Sequence, residues 1–195
     1  MKGSKREWLL LSISTGRDAS LRVFAWRKLR KLGAVYLHQS VCLLPNLPRV
    51  AKAIDPVVAR IRSQGGRARI LIVALRDHDH EALAAEQRDE RDDEYNEVVD
   101  RVPQFLDEIE LETARGRASY AEVEESEADL ERFEKWLASI ADRDYFQAPR
   151  GANAQLAVQR CRDALAAFEA LALAADSDDS GAARRANLTV VNDHQ

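Results

Sequence analysis

The sequence lacks the features of membrane, exported and disulfide-rich proteins. It has no run of about 18 apolar residues, so we expect no helix that spans a membrane. The N-terminal segment is superficially like a signal peptide, but its apolar part ends at Ile13 and no small-residue cleavage site follows. The two cysteines, Cys42 and Cys161, form no CxxC pair and are typical of reduced thiols. These absences predict a cytoplasmic protein.

The motifs of common enzyme classes are missing as well. The chain has no P-loop and no GxGxxG, GxSxG or HExxH motif. Metal-dependent nucleases with a ferredoxin-like fold need an aspartate at the end of the first strand, where this chain has Ser12 and Ser14. The triplet His78-Asp79-His80 offers metal ligands, but polar residues are expected at a strand-to-helix junction. We therefore predict no enzymatic activity, no cofactor and no metal site, with a metal-dependent nuclease as the weakest alternative.

The chain does have a strong asymmetry of charge. Residues 1–75 contain 15 Lys and Arg against 3 Asp and Glu, a local net charge of +12, whereas the rest of the chain has a net charge of −16. Such asymmetry indicates two units with different electrostatic roles. The basic half could bind nucleic acid, or the two halves could attract each other within one protein. Charge alone leaves both interpretations open.

The basic half alternates short apolar runs with helical stripes. The predicted elements are a strand at 8–14, a helix at 21–32, strands at 34–37 and 41–44, a helix at 50–61 and a strand at 69–75. This order is that of a ferredoxin-like βαββαβ unit with one antiparallel sheet. We therefore predict an α+β protein whose ferredoxin-like basic domain covers residues 7–76.

The acidic half shows helical stripes without a strand pattern. Three such stripes predict a C-terminal three-helix bundle over residues 80–175, packed on the basic domain. The run Asp176–Gly181 is expected to end the last helix, so residues 176–195 are predicted to form a flexible tail. One short edge strand at Leu188–Val191 is the alternative for part of that tail.

The first predicted helix carries a tryptophan among basic residues. Arg22, Trp26 and Arg30 lie four residues apart and therefore form one stripe, which could bind phosphates and stack a base. Alternatively, Trp26 packs beneath a C-terminal helix while the arginines pair with acidic residues, because covering an indole is favourable by roughly 2–3 kcal/mol. The predicted nucleic-acid-binding residues are Arg22, Trp26, Arg27, Lys28, Arg30, Lys31 and Arg67.

Several segments resemble the N-terminal region of ChrB-type chromate-resistance proteins. They are WLLLSIS, SLRVFAWRKLRKLGAVYL, VCLLP, the pair Gly65-Gly66 and the run RDDEY at 91–95. The resemblance extends over residues 8–173 and implies a bacterial cytoplasmic protein connected with chromate-responsive transcription, in which this region contacts DNA. Full-length members of that family usually carry a further C-terminal chromate-resistance domain, which these 195 residues do not contain.

Together these observations predict a DNA-binding transcriptional regulator of the chromate-resistance type. Its expected partners are DNA, chromate or another oxyanion as effector, and a second copy of the chain, because sheet edges need covering. The main alternative is a protein–protein interaction module whose basic and acidic halves pair with each other. Exposure of the first helix favours the first prediction, and burial favours the second.

Overall fold

The computed structural model describes residues 6–116 and 119–192 of the chain, with side chains up to residue 174. Within these residues the elements are β1 (Glu7–Ser14), α1 (Ala19–Lys31), β2 (Val35–His38), β3 (Val41–Pro45), α2 (Pro48–Ser63), β4 (Arg67–Ala74), α3 (Asp77–Ala114), α4 (Tyr120–Ala141) and α5 (Gly151–Asn192).

The four strands form one antiparallel sheet in the order β2-β3-β1-β4. In the interior strand β1, Leu10 lies opposite Leu43 of β3 on one side and opposite Leu71 of β4 on the other. At one edge, the four-residue strand β2 has an irregular register with β3 between Tyr36 and His38. The α+β class and the predicted four-stranded antiparallel sheet are thus confirmed.

A single hydrophobic core joins the sheet to α1 and α2. Leu9 and Leu11 of β1 belong to one buried cluster with Leu21 and Leu29 of α1 and Ile54 of α2. Fully burying a side chain of this kind contributes roughly 1.5–3 kcal/mol. Because the apolar stripes of both helices are used in this core, the charged residues of α1 lie on its outer surface.

The chain divides into two compact units. The first comprises Met1–Asp92 and Ala141–Pro149, and the second comprises Asp93–Ile140 and Arg150–Gln195. In the second unit, the rings of Phe105 and Phe133 meet edge to face with their centroids 5.9 Å apart. The packing of an acidic three-helix bundle at 80–175 on the basic domain stays a prediction.

The last helix is longer than the sequence indicated. α5 continues to Asn192, so the predicted end near residue 175 and the alternative strand at Leu188–Val191 are wrong. Asp and Ser in a helix interior each cost less than about 0.7 kcal/mol relative to Ala, and Gly about 1 kcal/mol, so the run that includes Gly181 need not end a helix. Flexibility of residues 176–195 stays a prediction, and residues 193–195 lie outside the described part.

The two longest helices, α3 and α5, carry charged residues along their length. Among residues 6–116 and 119–192, no helix combines the length and the apolar composition that crossing a membrane requires.

Candidate nucleic-acid interface

The N-terminus of α1 is capped by Asp18. Its Oδ1 accepts a hydrogen bond from the backbone N–H of Leu21 at 2.9 Å and another from the hydroxyl of Ser20 at 2.7 Å. These two hydrogen bonds, that of Leu21 first, lower the pKa of Asp18 below its usual value of 3.8. Asp18 therefore serves as a helix cap.

The C-terminal end of α1 is held by two side chains from distant segments. The hydroxyl of Tyr145 donates to the carbonyl of Leu32 at 2.8 Å, and Nε2 of the buried Gln87 donates to the carbonyl of Gly33 at 2.7 Å. Burial raises the pKa of Tyr145, so the phenol stays a donor at neutral pH. Gly33 has φ 74°, a conformation that glycine adopts without steric cost. Both ends of α1 are thus fixed within the first unit.

Every residue of the predicted nucleic-acid site is exposed. Trp26 is 51% exposed, and its packing beneath a C-terminal helix stays an alternative prediction. The buried stripe of α1 consists of Leu21, Ala25 and Leu29, and Trp26 lies about 100° further round the helix than Ala25. The basic residues that are exposed with it are Arg22, Arg27, Lys28, Arg30, Lys31 and Arg67.

Two of these cations have partners in the first unit. Nη1 of Arg30 lies 3.6 Å from Oε1 of Glu90, and Nη2 of Arg22 donates to the carbonyl of Gly16 at 3.2 Å. The Arg30–Glu90 pair is an example of the pairing between basic and acidic halves that the alternative interpretation expects. The predicted cations that make no ion pair or hydrogen bond with the described residues are Arg27, Lys28, Lys31 and Arg67.

All four arginines around the glycine turn between α2 and β4 are exposed, and two of them make contacts within the first unit. The guanidinium of Arg60 lies over the ring of Phe24, 3.9 Å from its centroid. Arg62 donates to the carbonyl of Ala68 through Nη2 at 2.8 Å and through Nε at 3.2 Å. Both side chains therefore stabilise the packing of the first unit.

The start of β4 brings two exposed arginines to the end of β1. Arg67 lies opposite Ser14, and Arg69 lies opposite Ser12. The sequence places Arg69 among four arginines around Gly65-Gly66 that could contact phosphate or form a solvated turn, and only Arg67 of these is a predicted site residue. The spacing of two in a strand places Arg67 and Arg69 on one face. Because Ala68 between them belongs to the core shared with α1 and α2, these arginines lie on the face of the sheet opposite to α1.

An open groove of about 900 Å³ lies between α1 and the β2–β3 hairpin. Arg22 and Trp26 line it from α1, and Tyr36 and His38 line it from β2. The serine and threonine residues in its wall are Ser12, Ser14, Thr15 and Ser40. Reasoning from the sequence missed this groove, because its walls come from three segments that only the fold brings together.

Two groups in the groove are held in their protonated forms. Burial raises the pKa of the Cys42 thiol to about 12, and burial likewise raises the pKa of Tyr36 above its usual value of 10. The hydroxyl of Tyr36 makes no hydrogen bond with the described part of the chain. At neutral pH the groove therefore offers a neutral thiol and a neutral phenol beside the guanidinium of Arg22.

The triplet His78-Asp79-His80 has other contacts. Asp79 accepts a hydrogen bond from Nε of Arg76 at 2.9 Å, and Nδ1 of His80 accepts one from Nε1 of the buried Trp8 at 3.1 Å. Over residues 6–116 and 119–192, no group of three or more His, Cys, Asp or Glu could hold a metal ion. His80 thus supports the packing of Trp8.

Comparison with known proteins identifies one family. The family model described as "Protein ChrB, N-terminal" matches residues 22–178. Protein ChrB of Cupriavidus metallidurans is 30% identical over 166 residues, which are 84% of this chain and 47% of that protein. The chain therefore spans about half the length of this curated relative. No solved structure shows significant similarity to the chain.

Proposed function

The chain belongs to the family of the ChrB N-terminal region, and on that premise we propose that it is a non-enzymatic bacterial regulator of the chromate-resistance type that binds DNA. The DNA-binding surface, called here the basic face, consists of Arg22, Trp26, Arg27, Lys28, Arg30, Lys31 and Arg67. The single observation that supports this most directly is that all seven side chains are exposed.

The arrangement of charge suits a polyanion. Lys28, Arg30 and Lys31 lie in the last turn of α1, where cations also interact favourably with the helix dipole. Since Arg27, Lys28 and Lys31 have no acidic partner in the described residues, binding a phosphate would not first require breaking an ion pair. Exposed cations of this kind supply most of the sequence-independent affinity for DNA.

The test is a salt titration of duplex binding by the full chain. If the five cations of the basic face that have no acidic partner in the described residues (all but Arg30) each contact a phosphate, the slope of log K against log salt is about −4.5. Between 50 and 200 mM salt the affinity then falls about 500-fold. A slope near zero, or no complex at micromolar protein and low salt, would refute the proposal.

The fold of the basic domain, residues 7–76, is proposed to be ferredoxin-like. The sheet order β2-β3-β1-β4 with α1 and α2 on one core supports this assignment. Because such a domain serves many functions, we infer DNA binding from the basic face and from the family, not from the fold.

A second candidate function is a protein–protein interaction module whose basic and acidic halves pair with each other. The Arg30–Glu90 contact favours it, because one basic side chain of α1 already meets an acidic one of α3. This candidate predicts no DNA binding at any salt concentration. It also predicts that added salt lowers the melting temperature of the protein. DNA regulation predicts a salt-sensitive complex instead.

A second copy of the chain is proposed as a further partner, through the edge strand β4. Leu71 is 54% exposed and Ile72 is 65% exposed on this eight-residue strand, and β1 pairs with one side of it. Long edges with exposed apolar residues favour pairing with another strand. Sedimentation of wild type and Ile72→Lys tests this: a dimer that becomes monomeric supports it, and a monomeric wild type refutes it.

An effector is the last part of the proposal. Chromate or another oxyanion would be attracted to arginine, which binds oxyanions through several N–H groups. Adding the oxyanion to the DNA complex and measuring release tests this part separately from DNA binding.

A further inference from the structure

The side chain of Trp26 is in an unusual situation for an indole. It is 51% exposed, and its Nε1–H makes no hydrogen bond within the described residues. Leaving a large aromatic ring in water forgoes the favourable free energy of burying it. Indoles in this state are enriched where a partner covers the ring and accepts the N–H.

The groove beside Trp26 has the size and chemistry of a small-molecule site. Its volume of about 900 Å³ lies within the range of ligand pockets. Arg22, which lines it, donates a hydrogen bond to the carbonyl of Gly16 at 3.2 Å, so its guanidinium lies near the end of β1. Tyr36 adds a second aromatic ring, whose hydroxyl is protonated at neutral pH.

We propose that this groove takes one unstacked nucleotide, with its base against the ring of Trp26 and its phosphate at Arg22. The inference rests on the proposed function, since α1 would bring nucleic acid to the rim of the groove. Aromatic rings stack any of the bases, while a guanidinium binds the phosphate. The hydroxyls of the wall and of Tyr36 can form hydrogen bonds with the base edges.

A bare oxyanion fits this groove less well. Of its lining residues, Arg22 is the one that carries a permanent positive charge. Trp26, Tyr36, Ile13 and Val23 present rings and aliphatic surface, which contribute nothing to binding a small dianion. A nucleotide uses both the charged and the aromatic part of the lining.

The experiment compares a short single strand with a duplex of the same length and sequence. Affinity of the full chain for each is measured for wild type, Trp26→Ala, Trp26→Phe and Lys28→Ala. Lys28 is exposed on α1 but does not line the groove, so it serves as the matched control. Circular dichroism verifies that the variants keep the fold, which is expected because Trp26 lies outside the buried stripe.

We expect Trp26→Ala to weaken single-strand binding about tenfold to a hundredfold and duplex binding by less than about threefold. Trp26→Phe should retain most of the single-strand affinity, because a ring remains. Lys28→Ala should weaken both polymers to the same extent. The single strand should also quench tryptophan fluorescence in wild type but not in Trp26→Phe, since Trp8 is fully buried and Trp136 does not line the groove.

Two outcomes would overturn the nucleotide site while leaving the proposed function intact. One is that wild type binds the duplex and Trp26→Ala weakens binding of the single strand and of the duplex equally, or weakens neither. The other is competition by millimolar sulfate that Trp26→Ala does not alter, which would assign the groove to an oxyanion. Absence of binding to either polymer at low salt would refute both proposals.

Discussion

Replacing Tyr145 by Phe removes one hydroxyl and tests how α1 is held in place. In the wild-type protein this hydroxyl donates to the carbonyl of Leu32 at 2.8 Å, at the end of the helix that carries most of the basic face. The guanidinium of Arg49 lies over the ring of Tyr145, 4.9 Å from its centroid, and Phe would keep that contact. The substitution therefore isolates the hydrogen bond.

The expected loss of stability follows from the chemistry of that bond. A neutral hydrogen bond contributes about 1 kcal/mol net, and a partly buried carbonyl left without its donor can raise the cost to about 2 kcal/mol. For a protein of this size, such a loss lowers the melting temperature by about 2–8 °C.

Tyr36→Phe is the matched control. Tyr36 is also half-buried, but its hydroxyl makes no hydrogen bond with the described residues, so its removal should change the stability by less than about 0.5 kcal/mol. Thermal and guanidinium unfolding of the full chain, followed by circular dichroism, measures both variants. Equal effects of the two substitutions would refute the anchoring of α1 by Tyr145.

Two further predictions concern the local geometry around the site. Asp18→Asn keeps a capping side chain without the charge; because folding lowers the pKa of Asp18, its contribution to stability is complete above pH 3.8 and is lost as the pH falls through the lower folded-state value. The melting temperature should therefore drop by less between pH 7 and pH 3 in Asp18→Asn than in wild type. An equal drop in both proteins would contradict the capping role. Gly66→Ala would place a Cβ 2.8 Å from Cγ2 of Ile61 and 3.1 Å from the carbonyl oxygen of Ser14, so we expect a loss of about 1–3 kcal/mol. Gly65→Asn is the control, because no atom lies within 4 Å of its Cβ and Asn tolerates the positive φ of 79°. Near-equal denaturation midpoints of Gly66→Ala and Gly65→Asn would contradict the predicted crowding at Gly66.

Sequence patterns predicted the basic half well because its signals are local. The short apolar run Leu9-Leu10-Leu11 predicts a strand, and the spacing of Leu21 and Leu29 predicts a helix that ends before Gly33. Each of these patterns depends on neighbours within one element. They were sufficient to predict the sheet and the position of α1.

Contacts between distant segments could not be predicted in this way. Glu90 follows Arg30 by 60 residues, and nothing in either segment indicates that they pair. The groove likewise depends on bringing Tyr36 next to Trp26 across the fold. For Trp26 itself, the sequence left open both nucleic-acid contact and packing of the indole, and its position beside the buried stripe leaves it half exposed. Exposed apolar surface next to a groove is typical of a binding site.

The central claim is that the cations of α1 bind DNA directly. The most direct measurement is the salt dependence of duplex affinity for the full chain with Arg27, Lys28 and Lys31 replaced together by Ala. Its control replaces Lys52, Arg101 and Arg160, which are also exposed, make no ion pair with the described residues and lie outside the basic face. The account predicts that the first triple variant lowers the magnitude of the slope by about 2.7, whereas the control leaves it unchanged. Equal slopes in wild type and both triple variants would contradict it.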